Sequence, residues 1–153
     1  MLESLWQTFI GLKFEYLGQF VTALVPMTAT VVIHGKGMQL AGRYFRRFGA
    51  PAITRHLSNL VVIIVVVGIM LATHFAEVIA WAFFYLLTGM QTEFQSAMAF
   101  SISSYTTLGS SNIQLTGRWR GFDGFEAMAA MLMFGWSTAM LATIVQKTHS
   151  IDG

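Results

Sequence analysis

Two sets of residues in this chain could do chemistry. The first is the run Tyr105-Thr106-Thr107-Leu108-Gly109-Ser110-Ser111-Asn112, which follows a short apolar segment and precedes a long one. Backbone carbonyls in such a run can replace the water around a cation if the chain is extended and every carbonyl turns the same way. Alternating left-handed conformations achieve this, and Gly109 takes them at little cost. The second set is ionisable. His34, His74 and Glu77 fall inside apolar stretches, where such groups are expensive and are functional candidates by default. His74 and Glu77, three apart, share one helix face. Two histidines and a carboxylate could bind a divalent metal, sense pH or join helices through hydrogen bonds.

These residues sit in a chain suited to lipid. It has 153 residues, 55% hydrophobic and 10% charged, with a mean hydropathy of +0.61; a soluble domain carries about 25% charged residues. The absence of cysteine removes disulfides and thiolate metal sites. A formal charge of +2 is too small to suggest a nucleic-acid partner. No secretory signal peptide is expected, since the chain opens with Glu3 rather than a basic run. With so short a polar tail after Gln146, no fused cytosolic ligand domain is expected either, and no internal repeat is visible.

Three apolar stretches approach or exceed the roughly 20 residues that span a hydrocarbon core: 17–33 (from nearer Leu5 if Lys13 and Glu15 sit at the interface), 57–87 and 121–146. Between the last two, 93–107 is too short to cross and rich in Ser and Thr. It predicts a re-entrant half-helix, tolerable only where protein or water lines its backbone. The 34–56 segment holds Lys36, Arg43, Arg46, Arg47 and Arg55 and no acidic residue, so it is expected in the cytoplasm. The N-terminus is then outside and Lys147 inside, with Arg118 and Arg120 a minor exception on the outer side. Gly35 to Phe48 reads either as a plain positively charged topogenic loop or as an amphipathic basic helix resting on the inner leaflet. On that reading His34 ends the first helix near the inner leaflet while His74 lies past the middle of the second, and the two are not expected to meet. Glu126, one and a half turns into the third helix, is either a brace in reach of Ser103, Ser104 or the backbone behind the Thr-Thr-Leu-Gly run, or a cation-attracting charge at the outer mouth. Gly68 and the Gly35/Gly37 pair either admit close helix contact or merely loosen the chain.

Residues 57–146 resemble the two-helix-plus-P-loop pore domain of the potassium-channel superfamily, in particular small bacterial channels with an extra N-terminal helix. The residues that carry the resemblance are His74, Glu77, Trp81 and Tyr85, then Phe94, Ala97 and Phe100-Ser101, then the Thr-Thr-Leu-Gly run. Trp119-Arg120, Glu126-Ala127 and Phe134-Gly135-Trp136-Ser137-Thr138-Ala139 complete the order. The resemblance implies an all-α membrane protein with three transmembrane helices, a re-entrant pore helix and filter between the second and third, and assembly as a homotetramer around one pore. It divides the chain into 1–56 (N-terminal helix and basic cytoplasmic segment), 57–146 (pore domain) and 147–153 (short cytoplasmic tail). Within the pore domain it implies an outer helix at 57–87, a pore helix at 93–106, a filter at 106–112 and an inner helix at 121–146. It assigns ion coordination to Thr106, Thr107, Leu108, Gly109, Ser110 and Ser111, with a potassium ion held at Thr107, Leu108 and Gly109. Filter support falls to Ser103, Asn112 and Glu126, and a hinge to Gly135. Where family filters continue Tyr-Gly-Asp, this chain has Ser110-Ser111-Asn112. That removes an aromatic wedge and places serine where left-handed backbone costs ~1 kcal/mol or more.

The resulting expectation is a tetrameric cation channel in the inner (plasma) membrane, potassium-permeable with relaxed potassium-over-sodium selectivity. Potassium, with sodium second, is the permeant ion. No other cofactor and no soluble ligand are expected; the partners are other copies of the chain and the bilayer. The alternative is a non-conducting pore-like subunit that regulates a partner channel. A secondary transporter is disfavoured, because three spans without an inverted repeat is too small a design. No nucleophile–base pair or cofactor fingerprint points to an enzyme.

Overall fold

A computed structural model describes residues 2–49, 56–109 and 114–149. The described residues contain helices and no strand. Helix α1 spans Leu2–Tyr44 and runs into a π-helical turn at Phe45–Gly49. Helix α2 is His56–Leu87, α3 is the short Phe94–Tyr105, and α4 is Asp123–His149, preceded by a 3-10 turn at Gly117–Trp119. Three segments are long and apolar enough to cross a membrane: Phe14–Gly49, Leu60–Leu87 and Gly117–Thr148. The protein is a multi-pass membrane protein, with α3 as the short element between the second and third spans.

The first helix departs from the sequence expectation. It does not stop at Ile33, and Gly35 to Phe48 is not a separate helix lying on a leaflet. Gln19, Ala23, Pro26, Thr30, His34, Gly37, Met38 and Ala41 are all buried. They recur every three or four residues, so one stripe continues through the expected boundary and packs along α2 and α4. Gly37 permits the closest approach, because a Cβ there would stand 2.1 Å from Thr73 Oγ1. Gly68, by contrast, has nothing within 4 Å. Pro26 cannot donate to the helix ladder, yet the helix continues. One turn on, Thr30 Oγ1 donates to Pro26 O at 3.0 Å and accepts from Trp81 Nε1 at 2.9 Å.

Of three apolar clusters among the described residues, one is small, Val78, Tyr105 and Ala130, and two larger ones hold the ends of the bundle. At the α3 end, Ala23, Trp81, Ala82, Tyr85, Ala97, Phe100, Leu115, Phe122 and Ala129 pack together. At the basic end, Met38, Ala41, Val66, Met70 and Ile144 do so. Between them lies a layer of buried polar side chains, an unusual content for a membrane interior.

Candidate ion path and the polar ring behind it

Helix α3 has one buried face, Ala97, Phe100, Ser101, Ser104 and Tyr105. Its C-terminal carbonyls are satisfied by the chain that follows. Thr106 N–H donates to Ile102 O at 3.0 Å, Thr107 N–H to Ser104 O at 3.0 Å and Gly109 N–H to Ser103 O at 3.2 Å. The segment thus turns back over the end of the helix, where the helix dipole is negative and favours cations. Thr107 has φ 60 and Gly109 φ 71, the alternation that turns successive carbonyls to one side. For glycine this is free; for a β-branched threonine it is an outlier. Thr106, Thr107, Leu108 and Gly109 are all exposed in the single chain. The Thr106 hydroxyl donates back to Ile102 O at 2.7 Å. Ser110, Ser111 and Asn112 lie outside the described residues.

Ser103 supports the run through its carbonyl rather than through Glu126. Glu126, fully buried, lies one helical turn short of the position expected from the sequence. Its Oε1 meets Ser101 Oγ at 2.5 Å, and its Oε2 accepts from Tyr85 OH at 2.6 Å. Ser104 Oγ instead donates to Phe100 O at 2.9 Å. The cause is the helical period: Ser101 and Ser104 share the buried face of α3 while Ser103 is turned off it. Gly135 is exposed on an α4 that runs unbroken through it.

Where the sequence kept them apart, the structure brings His34 and His74 together, with ring centroids 5.2 Å apart. The continuous α1 is the reason, since it carries His34 down alongside α2 instead of ending there. His34 Nδ1 lies 2.8 Å from Glu77 Oε1, and both side chains are fully buried. Tyr105 OH donates to Glu77 Oε2. His74 Nδ1 lies 2.8 Å from Tyr105 OH, and His74 Nε2 lies 3.0 Å from Ser137 Oγ. Ser137 Oγ returns to His34 Nε2 at 3.4 Å. Phe134 packs across Tyr105 and His74, at 5.4 and 4.9 Å between ring centroids. Of these residues, Tyr105 and Ser137 had no assigned part in the sequence reading. The buried spacing of Thr30, His34, Gly37/Met38 and Ala41 was the signal that could have placed His34 inside the bundle.

His34, His74 and Glu77 each offer a ligand atom, all within 4.8 Å of one another. A tetrahedral ion with ~2.1 Å bonds wants its ligands about 3.4 Å apart. Holding one would draw the three together and break bonds to Tyr105 or Ser137. The only buried side-chain polar atom without a partner among the described residues is Gln19 Oε1, far from this cluster in the sequence; the cluster's own polar atoms are satisfied by each other.

In comparison with known proteins, the family model described as "Ion channel" matches residues 71–147, half of the chain. The match begins within α2 and covers α3, the filter-like run and nearly all of α4. Among curated proteins and among solved structures, nothing matches.

Proposed function

We propose that this chain, which belongs to the ion-channel family and carries a potassium-channel-type pore domain over 71–147, forms a homotetrameric cation channel. It conducts potassium and discriminates weakly against sodium. The observation that carries this reading is the alternation of left-handed residues at Thr107 and Gly109, anchored on the carbonyl end of α3. A left-handed non-glycine residue costs roughly 1–2 kcal/mol, and such strain persists at sites where function requires it. Four copies follow from the single re-entrant segment per chain, since a closed ring of carbonyls needs four. The exposure of Leu108 at 82%, and of Met128, Met131 and Leu132 along α4, leaves apolar surface for neighbouring copies and lipid. Thr107, Leu108 and Gly109 hold the ion, and Ser110 and Ser111 form a wider outer part.

The N-terminus lies outside and the basic end of α1 inside.

The test is ion flux into liposomes containing purified protein, followed by the reversal potential with potassium on one side and sodium on the other. Weak potassium preference in the parent, with strong preference after Ser110→Tyr, Ser111→Gly and Asn112→Asp, supports the reading. A preference of ~100-fold corresponds to about 2.7 kcal/mol. Strong selectivity in the parent refutes the relaxed filter. Silence of both proteins moves the assignment to the non-conducting subunit, for which the altered Ser110-Ser111-Asn112 sequence would be the reason.

A further inference from the structure

The side chains of His34, Glu77, Tyr105, His74 and Ser137 form a closed circuit drawn from four helices. The links run from Glu77 to His34 (2.8 Å), His34 to Ser137 (3.4 Å), Ser137 to His74 (3.0 Å), His74 to Tyr105 (2.8 Å) and Tyr105 back to Glu77. Each link is a hydrogen bond and takes one hydrogen. The phenol, the hydroxyl and two neutral imidazoles bring four. One more completes all five links, and it offsets the carboxylate charge so that the circuit is neutral as a whole. A neutral, fully satisfied network is the form a membrane interior tolerates, while a half-satisfied one is costly.

Two positions in this circuit are informative. Tyr105 is the last residue of α3, next in sequence to Thr106 and the left-handed Thr107. Its hydroxyl holds no bond other than those of the circuit among the hydrogen bonds described. His34 lies on α1, outside the family-matched segment that begins at residue 71, and is the sole contribution of α1 to the circuit. Without His34, Glu77 Oε1 loses its partner and the path from Glu77 to Ser137 is open. The family-type pore domain therefore cannot close the circuit from its own residues.

We propose that His34 is a positioning residue for the filter: from the extra N-terminal helix it closes the circuit that fixes Tyr105, and through Tyr105 it sets ion discrimination at Thr106–Gly109. The proposal deepens the channel reading above and rests on residues 106–109 being the ion path. It gives α1 a part in permeation and not only in anchoring.

The experiment uses the full chain in liposomes or nanodiscs and compares the parent with His34→Phe, His34→Gln and Thr30→Val. Thr30 is equally buried on α1 but bonds Trp81 and stays outside the circuit. Two quantities are read: the potassium-to-sodium permeability ratio, and backbone hydrogen exchange over 102–109. His34→Phe should shift the ratio by at least about threefold, roughly 0.7 kcal/mol, and speed exchange by about tenfold. His34→Gln, which keeps a donor and an acceptor, should recover part of both; Thr30→Val should leave the ratio unchanged. If His34→Phe fails to assemble, His34→Gln carries the comparison alone, with an intermediate shift expected. An unchanged ratio in a conducting His34 variant overturns the proposal, as does a shift of the same size from Thr30→Val. If the parent does not conduct, the channel reading fails by itself and exchange decides the circuit: unchanged exchange in the His34 variants overturns it. Slower exchange in the parent on adding zinc, abolished by His34→Gln, would assign the three ligands to a metal and also overturn it.

Discussion

Replacing Gly37 by alanine should destabilise the protein, although alanine is the better helix former. The added Cβ would stand 2.1 Å from Thr73 Oγ1, 2.5 Å from its Cγ2 and 2.8 Å from its Cβ. Turning Thr73 about χ1 relieves the first two contacts and would give up the bond from its hydroxyl to Ile69 O at 2.8 Å. It leaves the third, because Cβ does not move with χ1. Helices α1 and α2 must then part by at least about half an ångström before contact becomes ordinary. Overpacking of this kind costs about 1–3 kcal/mol, and a backbone-fixed clash belongs in the upper part of that range. Removing a helical glycine returns about 1 kcal/mol, so the net loss is about 1–2 kcal/mol. For a chain of this size that lowers the midpoint by about 2–4 °C per kcal/mol. Gly68, with open space around it, supplies the control: there alanine should stabilise by up to about 1 kcal/mol. Unfolding in detergent micelles, followed by circular dichroism, reads both variants. Stabilisation by Gly37→Ala, or equal shifts at the two glycines, would refute the close crossing.

Three more outcomes follow from the same contacts. Glu126→Ala takes the acceptor from the buried Tyr85 hydroxyl and one of two acceptors from Ser101, which keeps Val78 O at 2.9 Å, and should cost about 1–3 kcal/mol. Tyr85→Phe removes a single donor and should cost less in the same unfolding assay; the reverse order would contradict the brace. Gly109→Ala meets no atom within 4 Å but must hold φ 71, so strain of roughly 1–2 kcal/mol per chain should lower single-channel conductance without preventing assembly. Conductance equal to the parent's would show that this backbone is not held as described. Because the chain has no cysteine, Arg46→Cys offers a unique label, expected to react with an impermeant maleimide only from the cytoplasmic side; labelling of intact cells from outside would invert the topology.

The membrane character, the three spans and the short re-entrant helix were legible because each depends on length and composition, which local sequence records. In the Thr-Thr-Leu-Gly run glycine itself marks the left-handed position at 109, whereas nothing in the residue type of Thr107 announces its φ of 60. The reach of α1 was missed for a physical reason. Its buried stripe is made of Gln19, Thr30, His34, Gly37 and Ala41 among others, residues that are polar or small, so hydropathy reads a helix ending where the packing continues. The meeting of His34 with Glu77 was lost with it. Glu126 meets Ser101, one turn of the short helix before the Ser103 and Ser104 that its sequence position suggests. Contacts between helices depend on axial register, and no single helix carries that in its own sequence.

The central claim is that cations are held by the carbonyls of Thr107, Leu108 and Gly109 on a four-fold axis. A density map of the purified full chain in rubidium, compared with one in a buffer free of monovalent metal cations, tests it most directly. Four copies are expected, with ion density on the axis beside those three carbonyls that fades at Ser110 and Ser111. A map with a bare axis at Thr107–Gly109, or with an assembly other than four copies, would contradict it.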